Sequence, residues 1–434
     1  MVRYVLLLLL ISIEYSARAQ TYFPPNTGGT WDTMQPSSIG WCDKNVDSLY
    51  QYLQACHSDG FIILKDGKIV LEKYFGTFTK DSIHIWNSAS KSLTSFLVGM
   101  AQYDKLFSLE DSVSKYLGDG WTKAPLAKER NIRIKHLISM NSGLDDDPPS
   151  PCDNLSTVDT CLLYRVEPNT RWAYHTGAYK QVQDVISVKS GISYNLYTIQ
   201  KLSNRIGMQG LWSPGGIYFS TTRNMAKFGL LALAKGIWNG DTLMKDTNYY
   251  RDMIQSSQSL NLSYGYLWWL NGKPSYMAPG LQLVVSKPFM PNAPADMFMA
   301  LGKDDQKIYI VPSQNLVVAR FGASAYGVAA AFSPFDDSLW GYINRLKCTK
   351  ISNNLNNSVY ASIQVYPNPS ADYVNIICPN ATIQSVEVFN SIGSREYIFY
   401  ATDKIDVSNL PKAIYLLKIV TSDGVYIRRI EKRS

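Results

Sequence analysis

The stretch Trp86-Asn87-Ser88-Ala89-Ser90-Lys91-Ser92-Leu93-Thr94-Ser95-Phe96-Leu97-Val98-Gly99-Met100-Ala101 sets a serine and a lysine three residues apart at the head of an apolar run. Leu93, Phe96, Leu97 and Met100 fall on one helical stripe, so the spacing predicts an amphipathic helix from Ser88 to Gln102. On that helix Ser88 and Lys91 share a face, close enough for the amine to take the hydroxyl proton. The positive end of the helix suits a developing alkoxide or oxyanion. Lys91 can act as a base only if burial or a cationic neighbour keeps it partly neutral. Spacing alone is weak evidence, since about two Ser-x-x-Lys motifs are expected by chance in a chain of this length. The other is Ser112-Val113-Ser114-Lys115, in a charged stretch with no apolar helix behind it, and it reads as solvated surface.

Working outward, Phe61 to Gly76 (FIILKDGKIVLEKYFG) contains two β-rich runs around Asp66-Gly67, a hairpin signal. Ile132 to Leu144 (IRIKHLISMNSGL) reads as a short helix closed by Gly143, and residues from Ala178 to Lys235 are helix-rich. Strand character returns at Met297–Leu301, Lys307–Val311 and Leu316–Phe321. Strands at both ends with helices between predict one antiparallel sheet built from the two ends of the region.

The remaining composition bounds the class. A chain of 434 residues with 46% hydrophobic and 18% charged content suits a globular catalytic unit with a smaller appendage. Arg3, an apolar run from Val5 to Ile11 and Ala17-Arg18-Ala19 predict a signal peptide at 1–19, too short to span a bilayer. No later apolar stretch predicts a membrane span. Export permits disulfides among the six cysteines. Cys152 and Cys161 bracket a short loop that a cross-link would close, while Cys42, Cys56 and Cys348 cannot be paired by inspection. The four histidines share no ligand-like spacing, so neither a metal nor another cofactor is expected. The net charge of +7 is partly concentrated in the last residues, and no basic stripe with interleaved aromatics points to nucleic acid.

The neighbouring segments carry a resemblance. WNSASKSLTSFLVGMA, the hairpin before it, IRIKHLISMNSGL, SPGGIYFSTTRNMAKFGLLAL (213–233), WNG (238–240) and YGYLWWL (264–270) resemble, in order, segments of the serine β-lactamase-related family. Its class C β-lactamase, esterase and D-aminopeptidase branch is the best likeness, from about residue 40 to 345. The resemblance implies an α+β, β-lactamase/transpeptidase-like fold with a helical insertion, and Ser88 as nucleophile with Lys91 and Tyr174 handling protons. Tyr174 holds the place of the family's Tyr-x-Asn tyrosine, but Thr176 stands where asparagine is usual. A threonine keeps one donor and lacks the amide's donor-acceptor pair. Ala300-Leu301-Gly302 stands where the family has Lys-Thr-Gly or a relaxed variant, so Gly302 and the adjacent Lys303 are the expected substrate contacts there. His175 is expected in a structural or substrate-contacting role. Trp86, Trp172, Trp268 and Trp269 are expected as cleft lining or core.

Ile351 to Asn357 is polar and aperiodic, giving a linker over 349–358. Beyond it, Val374–Ile377, Ser385–Phe389, Ile414–Val420 and Val425–Ile430 predict a small all-β module over 359–434. VYPNPSADYVNI, NLPKAIYLLKI and YIRRIEKR resemble the C-terminal sorting domain of the type IX secretion pathway, which makes that machinery a partner and the cell surface or medium the destination. The catalytic domain is placed at 20–348. Its expected activity is hydrolysis of an ester, small amide or peptide. The alternatives are a β-lactamase or D-Ala-D-Ala peptidase-like penicillin-binding activity, and a catalytically silent binding relative.

Overall fold

A computed structural model describes residues 21–348 and 363–433, apart from 29, 328–330, 380, 392 and 423. The expected signal peptide and linker lie outside the described residues. The chain divides after Cys348 into two compact units.

The first unit is organised by one antiparallel sheet. Its strands are β1 (Ser58–Lys65), β2 (Lys68–Tyr74), β3 (Trp269–Leu270), β4 (Phe298–Gly302), β5 (Gln306–Val311) and β6 (Leu316–Gly322), in spatial order β2-β1-β6-β5-β4-β3. Strands from the two ends of the unit meet at β1 and β6, where Ile63 pairs with Val318. The β1–β2 hairpin turns at Asp66 and Gly67, both with positive φ, which matches the right-handed strand twist. Strands β4, β5 and β6 are buried along their whole length, because helices cover both faces. Helix α1 (Asp43–Ala55) packs on β1 and on the C-terminal helix Pro334–Asn344, while the helix Thr222–Leu233 packs on β1, β5 and β6.

Helix α2 (Ser90–Tyr103) runs behind the sheet, and every residue from Ser90 to Ala101 is buried. The expected amphipathic helix is therefore a central one. Its polar side is satisfied internally: Ser92 Oγ donates to Leu267 O, and Thr94 Oγ1 accepts from Tyr194 OH and Gln183 Nε2. The segment read as a helix from Ile132 to Leu144 is helical only over Ile134–Ile138. Met140 and Gly143 then take positive φ, and the freed carbonyls serve a neighbouring loop, with Met140 O accepting from Ala173 N.

Two disulfides close the unit, Cys152–Cys161 and Cys42–Cys348, and Cys56 is free and buried. Around the second, Cys42 N donates to Leu346 O and Cys348 N to Gly40 O.

The second unit is a sandwich of two antiparallel sheets. One holds Gln364–Tyr366, Tyr373–Ile377 and Lys404–Asp406; the other holds Arg395–Tyr400, Ile383–Phe389, Ile414–Thr421 and Gly424–Glu431. Alternate residues such as Val374, Val386, Leu417 and Ile430 fill the space between the sheets. Among the described residues no helix is long and apolar enough to cross a membrane.

Candidate active site

Ser88 sits on a 3-10 turn, Asn87–Ala89, which runs directly into α2. It is thus one step ahead of the α-helix proper rather than inside it. The turn is held from two sides. Trp86 N donates to Tyr218 O, Trp86 Nε1 to Ser220 Oγ, and Ser90 Oγ accepts from Tyr218 N, which ties it to the strand Tyr218–Ser220. Asn87 has φ +50 and donates from Nδ2 to Lys303 O, which ties it to the end of β4. Gly302 closes this second contact, since a Cβ there would run into Trp86 O and come within 3.1 Å of Ala89 N. The Ser88 side chain stays half-buried.

Lys91 Nζ donates to Ser88 Oγ at 2.9 Å. The lysine is 2% exposed, and its ammonium lies 4.7 Å from the ring centres of both Tyr174 and Tyr179. Burial, reinforced by the charge of Lys180, holds Lys91 well below the usual lysine value. Among the described residues no carboxylate acts against that shift. Tyr174 is buried; desolvation pushes its phenol up, and the neighbouring Ser88 side chain pulls it part of the way back. Its ring is framed by Trp172, Tyr264 and Trp269, the last stacked at 6.0 Å. The Ser88 hydroxyl is therefore bonded to Lys91 and neighbours Tyr174, the two groups expected to handle its proton.

Thr176 opens the helix α3 (Thr176–Ser190) and, with Tyr174, lines a cavity of about 550 Å³ that also meets Asp146, Arg171, Gly280 and Gln282. Arg171 pairs with Asp146 at 2.6 Å. His175 departs from the substrate-contacting part of its expected role. It is 1% exposed, lines no part of this cavity, and caps α3 by accepting from Ala178 N at Nδ1. Burial lowers its pKa to about 4, so it is neutral at pH 7. Trp86, Trp172, Trp268 and Trp269 are all core residues. The second Ser-x-x-Lys is apart from these groups: Lys115 is exposed and pairs with Asp111.

Beside Ser88, Lys303 is exposed while its carbonyl receives Asn87. The next residues, Asp304 and Asp305, both have φ +59, a conformation that aspartate tolerates better than most residues. A buried charge cluster holds them. Arg320 Nη1 donates to the carbonyls of Asp304 and Asp305, and Lys307 Nζ bridges Asp305 and Asp336. Reading the sequence did not single out Asn87, Asn154, Asp305 or Arg320. The one visible signal was an arginine interrupting the apolar run Leu316–Gly322.

Residues 46–212 match the family described as Beta-lactamase, and residues 364–433 match the family described as Secretion system C-terminal sorting domain. No curated protein sequence matches the chain. Among solved structures, the fold is similar to that of a penicillin-binding protein homologue from Caulobacter crescentus, at 11% identity and TM-score 0.54, covering 71% of this chain and 99% of the other. It is also similar to an octameric penicillin-binding protein homologue from Pyrococcus abyssi, at 14% identity and TM-score 0.50, covering 89% and 99%. A protein from Bacillus anthracis provisionally named a 6-aminohexanoate-dimer hydrolase is similar at 17% identity and TM-score 0.55, covering 75% and 89%. At these identities the likeness shows the fold.

Proposed function

From a chain that carries a β-lactamase-family domain followed by a secretion-system C-terminal sorting domain, we propose a secreted serine hydrolase that works through an acyl-enzyme on Ser88. The observation that carries the reading is the 2.9 Å approach of Lys91 Nζ to Ser88 Oγ in a site where burial favours the neutral amine. Lys91 takes the Ser88 proton as Oγ bonds to the substrate carbonyl carbon. The oxyanion is met by backbone N–H groups of the Ser88 turn and of the strand end at Gly302, two segments packed against each other. As the intermediate collapses, the bond to the leaving group breaks and the proton that Lys91 took from Ser88 is delivered to that group. Water then attacks the ester of Ser88, with the same groups accepting its proton and restoring the serine hydroxyl.

The substrate we infer is an ester or small amide or peptide rather than a β-lactam. Thr176 offers no carboxamide, and Ala300 and Leu301 leave the strand end without the lysine and threonine that bind a carboxylate in β-lactamases. The N-terminal signal peptide at 1–19 and the sorting module carry the enzyme out of the cell, the latter through the type IX machinery. The test is covalent labelling. A fluorophosphonate should modify Ser88, a penicillin should leave it free, and Ser88→Ala should lose both labelling and ester turnover with its unfolding curve unchanged. Wild-type turnover in Ser88→Ala would overturn the reading, and rapid penicillin hydrolysis would move it to β-lactamase.

A further inference from the structure

We propose that Asn154 is a positioning residue for Tyr174 and that the Cys152–Cys161 disulfide loop exists to present it; the inference rests on the acyl-enzyme reading above. Tyr174 works only if its phenol is held against Ser88, yet its backbone lies in an irregular segment between Trp172 and the start of α3. Asn154 supplies what a strand partner would otherwise give. Its Nδ2 donates to Tyr174 O at 2.9 Å and its Oδ1 accepts from Thr176 N at 3.0 Å, so one carboxamide spans the residues on both sides of His175. Its remaining amide hydrogen goes to Asp146 O at 3.0 Å, and its backbone carbonyl accepts from Gly177 N at 2.8 Å. With both amide hydrogens and the side-chain oxygen engaged by backbone, Asn154 is occupied as a brace and is not offered to a substrate.

The loop that carries it is built for close approach. Asp153 and Ser156 hydrogen-bond each other across the turn, which fixes the backbone on both sides of Asn154. Gly177 has to be glycine, because a Cβ would overlap Ser156 O. Gln181 of α3 donates to Thr157 O, adding a second anchor one turn further along. The disulfide joins residues nine apart in sequence around this brace, so it restricts the loop where few apolar contacts could. Leu155 and Val158 of the same loop point outward and are more than half exposed.

The experiment compares Asn154→Ala, Asn154→Asp and the pair Cys152→Ser/Cys161→Ser with Leu155→Ala, using p-nitrophenyl acetate and counting active sites with a fluorophosphonate. Asn154→Asp keeps an acceptor for Thr176 N but sets oxygen against the carbonyls of Tyr174 and Asp146. Both Asn154 variants should lose about 10- to 100-fold in kcat per labelled site, with KM within about twofold and a displaced pH profile. The cysteine pair should lose activity to a similar extent, and combining it with Asn154→Ala should add little, while Leu155→Ala keeps wild-type kcat. A merely structural role would lower the melting temperature and leave kcat per site and the pH profile unchanged, and that result overturns the proposal. If Asn154→Ala fails to fold, the cysteine pair and Asn154→Asp decide by the same readout. Loss of turnover in Ser88→Ala with full kcat in the Asn154 variants would reject the brace alone, whereas an active Ser88→Ala would take the parent reading down with it.

Discussion

Lys91 Nζ stands 4.7 Å from the centre of the Tyr174 ring, over its face. Two effects oppose each other there. The ring face favours the ammonium, and burial favours the amine. Ser88 is the neighbour they share, hydrogen-bonded to Lys91 and drawing the buried phenol of Tyr174 down.

This arrangement predicts that Lys91 and Tyr174 act as one unit. Lys91→Ala and Tyr174→Phe should each slow acylation by roughly two or more orders of magnitude, and the double replacement should cost little more than the worse single. Tyr174→Phe keeps the ring face under Lys91 and removes only the hydroxyl, so it isolates proton transfer. Strictly additive losses in fluorophosphonate labelling rate would show two independent groups.

Lys91 should also be held at a cost to stability. Its folded pKa lies below the unfolded value, so between the two the unfolded chain binds more protons and stability falls as pH falls through that window. At pH 7 the penalty is in force. Lys91→Met should abolish acylation yet raise unfolding free energy by on the order of 1 kcal/mol in urea titrations. A less stable Lys91→Met at pH 7 would contradict this.

His175 gives a second pH signature, in the acid range. Burial lowers its pKa from 6.5 to about 4, so its neutral form stabilises the fold above about pH 6.5 and that contribution is lost as pH falls toward 4. The shift corresponds to about 3 kcal/mol at most. Asparagine can take over the cap on α3, so His175→Asn should flatten the melting temperature between pH 6.5 and 4 while retaining the helix. An unchanged slope would assign the acid sensitivity elsewhere, with buried His136, also lowered to about 4, as the next residue to replace.

The buried cluster under the Ser88 corner should not tolerate the loss of one charge. Lys307→Met leaves Asp305 and Asp336 facing each other without their shared cation, and should cost about 3–5 kcal/mol in unfolding free energy. Chemical denaturation at pH 7 checks it, and a loss below about 1 kcal/mol would mean that Arg320 alone holds the loop.

What could be read along the chain was whatever lies close in sequence. Ser88 and Lys91 are one helical turn apart, Asp66-Gly67 declares its own hairpin, and strands at both ends of a helical middle announce one sheet built from the two ends. The two faces of α2 were harder, since Ser92, Thr94 and Ser95 look solvated until Leu267, Tyr194 and Tyr249 arrive to bond them. Asn154 was invisible for the same reason: its role depends on a loop folding back on residues twenty or more positions away. Pairing of Cys42 with Cys348 spans 306 residues, a separation at which local pattern carries no information.

That long pairing bears on how the protein is finished after export. A protease cutting just beyond Cys348 would detach the sorting module, yet the new end could not fray, being stitched to Cys42 at the edge of α1 and zipped by the Cys42–Leu346 and Cys348–Gly40 hydrogen bonds. Trimming and unravelling are thereby separated, and the first unit keeps its seam closed for as long as its surroundings stay oxidising.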